Sequence, residues 1–218
     1  MTDQRTPEWF GERLGKATAS RIADVIARTK SGPSASRANY AAELVAERLT
    51  GSRVEGFTSA AMQHGIDTEA EARAAYSFRH DVDVAETGFH RHPVIEMAGA
   101  SPDGLVGDDG LVEIKCPGTA THIATLLGGP IADKYVVQMQ WQMACTGRAW
   151  CDFASYDPRL PETMRLSVKR VERDDARIAE LEREVTAFLK DVQDTVDALS
   201  LKFANDNAEA GAGALAAG

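Results

Sequence analysis

Ile178, Leu181, Val185, Phe188, Val192, Val196 and Leu199 recur at steps of three or four residues. That spacing predicts one long amphipathic helix, which covers either a core or a partner subunit. Near the other end, Thr6-Pro7-Glu8 supplies an N-cap, a proline at the first helical position and an acid in the first turn, and Gly15 closes the short helix they open. Ile22, Val25 and Ile26 predict a second helix beginning at Ser20. Residues 29–36 (TKSGPSAS) have loop chemistry, and a third helix follows from about Ser36 to Thr50, stopping at Gly51. Residues 58–79 are again helical in pattern, in one piece or in two broken near Gly65, and carry Glu69, Glu71 and Arg73.

Between Val82 and Lys115 the period shortens. VDVAETGFHRHPV and LVGDDGLVEIK are short β-type runs divided by turn residues. Asp108-Asp109-Gly110 reads as a hairpin turn that pairs the strand after Asp103 with the strand holding Glu113. Residues 118–147 return to helix, with Val136, Val137, Met139, Gln140 and Met143 in helical pattern, and 150–156 and 164–171 add strands. The predicted fold class is therefore α/β (α+β): a mixed central β-sheet flanked by helices, with a long C-terminal helix. Residues 1–202 form a single domain, and 203–218 form an Ala/Gly-rich, mobile tail without periodicity.

Composition narrows this picture only a little. A chain of 218 residues, 44% hydrophobic and 26% charged, suits one globular domain with a substantial core. No apolar run approaches the roughly 18 residues of a membrane span, and MTDQRTPEWF lacks the basic and apolar regions of a secretory signal, so an intracellular protein is expected. Cys116, Cys145 and Cys151 are odd in number and lack C-x-x-C spacing, which argues against a disulfide framework and a zinc or iron–sulfur cage.

Charge does change the picture. A formal net charge of -9 opposes binding to phosphates, but it is unevenly distributed. Residues 1–53 hold nine bases against six acids, whereas 172–201 hold nine acids against four bases. Any basic surface is expected near the N-terminus.

The candidate chemistry lies at Asp103, Glu113 and Lys115. Residues two apart on a strand share a face, so Glu113 and Lys115 point the same way and Ile114 points into the core. The hairpin would bring Asp103 to the same end of the sheet. Two carboxylates and a backbone carbonyl, with open positions for water and phosphate oxygens, suit Mg²⁺. Taken alone, Glu-Ile-Lys also describes an exposed strand face and Asp-Gly a common turn. Pro-Asp, a hairpin signal and then Glu-x-Lys together match the motif of the PD-(D/E)xK nuclease superfamily. Histidines 64, 80, 90, 92 and 122 show no metal-ligand spacing, and His90-x-His92 reads as an exposed strand face.

Six ordered blocks extend the match: RLGKATAS from Arg13, GIDTEAEAR from Gly65, SPDGL from Ser101, LVEIKCP from Leu111, YVVQMQWQM from Tyr135 and SYDPR from Ser155. From Trp9 to about Val171 the chain resembles the bacteriophage lambda exonuclease and YqaJ-type viral recombinase family, so a restriction-endonuclease-like core is expected. The resemblance implies a 5′-to-3′ exonuclease on linear double-stranded DNA bearing a 5′-phosphate, using two Mg²⁺ ions with Mn²⁺ as substitute. It also implies release of mononucleotides, 3′ overhangs for a single-strand annealing protein, a homotrimer ring, and a phage- or prophage-encoded protein in the bacterial cytoplasm. Carried over by residue, it makes Asp103, Glu113, the Ile114 carbonyl and Glu69 metal ligands, Lys115 the catalytic lysine, and Gln138 the glutamine that positions lysine or water.

Arg13, Ser20 and Ser101 match residues that cradle the 5′-phosphate, in keeping with an anion at a helix start beside a bidentate guanidinium. The loop at Thr29-Lys30-Ser31-Gly32 resembles one that reaches the DNA minor groove, with Lys30 standing where arginine is expected and unable to make a bidentate contact. Met62 falls either at an apolar wedge position or in the core. Two other readings remain: a structure-specific or restriction-like endonuclease on the same fold, and an inactive DNA-binding or assembly module. The presence of Asp103, Glu113 and Lys115 together argues against the second.

Overall fold

Thr6 starts the first helix as its sequence suggests. Its hydroxyl accepts the Trp9 amide at 3.3 Å, α1 spans Pro7–Arg13, and Gly15 turns the chain away at φ 67. The structure, a computed structural model, describes residues 4–30, 32–54 and 59–215, with side chains described except at 61, 62 and 205–215. Met62 and Ser31 therefore lie outside the described side chains.

After α1 the chain is drawn into a short strand, β1 (Ala17–Thr18), by the bond from the Ala17 amide to the Met97 carbonyl at 2.9 Å. A 3-10 turn over Ala19–Arg21 leads into α2 (Ile22–Ile26). Ser20 thus sits inside a tight turn, two residues before the helix expected to begin there; Thr18 precedes that turn without a side-chain cap. The loop-like stretch that follows is a small hairpin of β2 (Arg28–Thr29) and β3 (Gly32–Pro33). Ser34 caps α3 (Ala35–Thr50), and Gly51 ends it in the left-handed conformation at φ 63. Helix α4 (Ala60–His80) runs unbroken through Gly65, because a single interior glycine weakens a helix without ending it.

The short strands β4 (Val84–Ala85), β5 (His90–Arg91), β6 (Ala98–Ala100) and β7 (Gly104–Val106) precede β8 (Gly110–Lys115). The 118–147 region is two helices, α5 (Thr119–Leu126) and α6 (Asp133–Thr146), then β9 (Trp150–Tyr156), β10 (Leu166–Glu172) and α7 (Asp175–Leu215). The main sheet is mixed, in the order β10-β9-β8-β7-β4, with β8 and β9 parallel and its other pairs antiparallel. A separate sheet, β1-β6-β5, packs near it.

Strand alternation decides what each face of the main sheet meets. From β8, Val112 and Ile114 pack with Ala72 and Tyr76 of α4. Leu111 faces the other way with Met139 and Met143 of α6, Phe153 and Ile178. Behind α6, its Trp141 joins Ile22, Tyr40 and Leu44 with Leu181, Val185, Phe188 and Val192 of α7 in a third cluster. The apolar stripe of α7 therefore covers a core of its own chain. The helical backbone continues to Leu215, past the last periodic position at Leu199, through a run whose alanines favour helix. His92 is also contrary to expectation: it is buried, and its Nδ1 accepts the amides of Val94 and Ile95 at 3.3 and 3.1 Å. Among the described residues no helix is long and apolar enough to cross a membrane.

Candidate functional site

The hairpin of β7 and β8 creates the centre. Its register pairs Gly104 with Val112, and continuing it by one residue brings Asp103 opposite Glu113. Asp103 Oδ2 accepts the Ile114 amide at 2.7 Å, which ties the carboxylate to the strand carrying Glu113 and Lys115. Those two project toward α6, as the period of two requires.

Glu113 is fully buried and is satisfied by three donors. Lys115 Nζ and Gln138 Nε2 both donate to Oε1, the latter at 2.7 Å, and Gln142 Nε2 donates to Oε2 at 2.6 Å. Gln138 and Gln142 are four residues apart, so one face of α6 delivers both amides. Gln142 escaped sequence reasoning, although its spacing from Gln138 was the available signal. The Lys115 ammonium also stands 5.3 Å from the Tyr135 ring centroid. Burial disfavours the lysine's charge, but Glu113 and Asp103 outweigh it and hold Lys115 above its ordinary value. Burial, then the Glu113 carboxylate, pushes Asp103 up to about 8. Two acids so placed favour a cation between them.

Glu69 reaches the same cleft from α4. Its carboxylate is held by Arg73 Nη2 at 2.8 Å and Arg5 Nη2 at 2.7 Å. Arg73 also donates to the Asp103 carbonyl at 3.3 Å and pairs with Glu86 at 2.9 Å. The sequence places Arg73 on the helix of Glu69 without assigning it a role, and it gives no sign of Arg5. The cleft holds about 880 Å³ and is lined by Glu69, Asp103, Ile114, Lys115 and Gln138 together with Arg13, Ser20 and Ser101. Nine of the ten candidate residues thus occur in or around one cavity, counting Glu113, which underlies it through Lys115 and Gln138. Lys30 is the exception; it is exposed at the tip of the β2-β3 hairpin and does not line the cleft.

In the same cleft, Ser101 Oγ accepts from Trp9 Nε1 at 2.9 Å and Arg13 Nη1 at 3.1 Å. The Arg13 guanidinium stacks 4.1 Å over Trp9. Burial draws Arg13 down to about 10, which leaves it charged at neutral pH. Both lone pairs of Ser101 Oγ are engaged, which leaves its own hydrogen available to a further acceptor. Ser20 is exposed on the same wall. Cys116 also lines the cleft, but burial, with Glu69 and Asp103 near, pushes its thiol up to about 12 and keeps it a poor nucleophile.

The donor set fits a hard divalent cation: two carboxylates, Asp103 and Glu113, beside the Ile114 carbonyl, with Glu69 across the cleft. Asp103 Oδ1 makes no hydrogen bond among the described residues, and the mutual repulsion of Asp103 and Glu113 is what a cation would relieve. Among the described residues no three His, Cys, Asp or Glu side chains are already drawn into a metal cage. Arg5 and Arg73 occupy Glu69, and Gln138 and Gln142 occupy Glu113.

The family profile described as the YqaJ-like viral recombinase domain matches residues 8–149. Among solved structures, an alkaline exonuclease (LHK-Exo) from Laribacter hongkongensis is 54% identical, covers 92% of this chain and 99% of its own, and superposes with a TM-score of 0.85. The same protein in complex with dAMP gives a TM-score of 0.86 at the same identity and coverage. A phage related exonuclease from Haemophilus somnus 129PT is 16% identical over 84% of this chain and 96% of its own, with a TM-score of 0.66, which establishes likeness of fold alone. No curated protein matches the chain.

Proposed function

The chain belongs to the YqaJ-like viral recombinase family, and from that membership we propose a Mg²⁺-dependent exonuclease that digests one strand of linear double-stranded DNA from its 5′ end. It releases mononucleotides and leaves 3′ overhangs for an annealing protein, and it works as a homotrimer ring. The observation that carries this reading is the convergence of Asp103, Glu113, Lys115 and Gln138 with Arg13, Ser20 and Ser101 on one cleft. The alkaline exonuclease at 54% identity, studied with dAMP, supports the reaction class and a mononucleotide product.

Asp103, Glu113, the Ile114 carbonyl and Glu69 would hold two Mg²⁺ ions, for which Mn²⁺ substitutes. Bound there, such ions stabilise charge developing on the phosphoryl oxygens and lower the pKa of the attacking water. Lys115 is held protonated by its acids, so it acts as a donor that orients water or a phosphate oxygen and adds positive charge in the transition state. Gln138 and Gln142 fix Glu113, and through it Lys115. Arg13 offers the 5′-phosphate a charged fork, and Ser101 donates the hydrogen that its two incoming bonds leave available. A phosphate held there selects a free end over an internal bond.

The test is digestion of a 5′-phosphorylated linear duplex and a covalently closed circle, with Mg²⁺ and without it, beside Lys115→Ala. The wild type should release mononucleotides from the linear DNA only, and only with Mg²⁺, while the variant loses on the order of a thousandfold in rate, as expected for removing a charge-stabilising donor. Cutting of the closed circle, or equal rates for the two proteins, overturns the assignment.

A further inference from the structure

Arg5 stands where the proposed cation and the DNA would meet. Its Nη2 lies 2.7 Å from Glu69 Oε2, and it lines the cleft with Asp103 and Lys115. Arg73 holds the other oxygen of Glu69, but the two arginines are held very differently. Arg73 is 15% exposed and is fixed by Glu69, Glu86 and the Asp103 carbonyl. The Arg5 side chain is 46% exposed.

Its backbone, by contrast, is pinned. Gln4 Nε2 donates to the Thr87 carbonyl at 2.9 Å and to the Pro102 carbonyl at 2.8 Å, fastening this segment beside Asp103. Arg5 itself is at φ 69, a left-handed conformation that a non-glycine residue adopts only when its surroundings impose it. The guanidinium is therefore a movable head on a fixed base.

Resting on the reading that Glu69 binds a cation, we propose that Arg5 is a displaceable counter-ion which holds Glu69 until the cation takes that carboxylate, and then binds a DNA phosphate in the cleft. A divalent cation and a guanidinium compete for the same oxygens and repel each other. Once released, the head still lines the cleft, where a bound DNA would offer it phosphates. Arg5 thereby links cation loading to substrate grip.

Calorimetric titration of the full chain with Mn²⁺ alone, for wild type, Arg5→Ala, Arg5→Lys and Glu69→Gln, tests the first half. Glu69→Gln should remove one component of the isotherm, and Arg5→Ala should tighten that component about tenfold, a shift modest enough for a partly exposed charge. Arg5→Lys, which keeps the charge, should stay within about threefold of wild type, since loss of charge and not of contact is the cause.

Binding of a 5′-phosphorylated duplex at several salt concentrations tests the second half. With Ca²⁺ in place of Mg²⁺, Arg5→Ala should lower the salt slope by about one; with a chelator instead, the two slopes should agree. An isotherm that Glu69→Gln leaves unchanged overturns the proposal together with the reading beneath it. A Glu69-dependent component that Arg5→Ala fails to tighten, a component that Arg5→Lys tightens as much as Arg5→Ala does, or equal salt slopes in Ca²⁺, overturns the role of Arg5 alone.

Discussion

Asp103 carries two opposed demands, since it must be buried to sit beside Glu113 and ionised to hold a cation. Burial and Glu113 together push it up to about 8. A carboxyl raised in the folded state contributes stability that is fully present below the unfolded value of about 4 and is lost as pH climbs through the folded one. Without divalent ions, stability should therefore fall between about pH 4 and about pH 8 by more in the wild type than in Asp103→Asn. The gap between their melting temperatures should change by at least about 3 °C across that window, the equivalent of about 1 kcal/mol for a chain of this size. Parallel curves would mean that Asp103 does not feel its neighbours as described. Asp103, Glu113 and Lys115 were legible because a turn, a hairpin and a period of two are local signals. Arg5 was not, because its partner Glu69 lies 64 residues away; Gln142 and Arg73 each stand four residues from Gln138 and Glu69, a spacing that marks a shared helix face but not the Glu113 carboxylate and Asp103 carbonyl that they reach 29 and 30 residues away.

At the scale of elements, the hairpin that presents Asp103 depends on a close approach. A Cβ on Gly104 would come within 2.2 Å of Val84 Cγ1 and 3.1 Å of Val112 Cγ1, so β4 and β8 leave room only for hydrogen. Gly104→Ala should cost about 1–3 kcal/mol through overpacking and should slow DNA digestion by shifting the residue before it. Adding Val84→Ala removes the nearer obstacle and should recover part of both losses, so a double-mutant cycle read by chemical denaturation should give a coupling above about 0.5 kcal/mol. Strict additivity would show that the strand pair yields elsewhere. The sequence announces this hairpin and the long helix α7 through their periods. It does not announce β1, two residues long, whose pairing with β6 comes from Ala17 and Met97 meeting across 80 positions. The helix expected from Ser20 begins at Ile22 instead, because the chain leaves the β1 contact through a 3-10 turn over Ala19–Arg21.

On the whole molecule, a net charge of -9 must be reconciled with a polyanionic substrate. The charges are unevenly placed. Arg5 and Arg13 line the cleft, whereas the exposed side of α7 carries Glu180, Asp191, Asp194 and Asp197. A lone subunit offers DNA few cations and a repelling flank, so the proposed ring would gain grip by gathering several clefts around one duplex while keeping the acidic helices away from it. Light scattering should then give a mass near three times 23.5 kDa. DNA affinity should fall steeply with salt, with a slope greater than the cations of one cleft can supply. Dilution supplies the sharper measurement, because dissociation of the ring should shorten the stretch of duplex digested per binding event before it lowers the rate of the first cleavage at a 5′ end. A monomeric mass with undiminished, salt-steep binding would place the necessary positive charge on one subunit and remove the need for a ring.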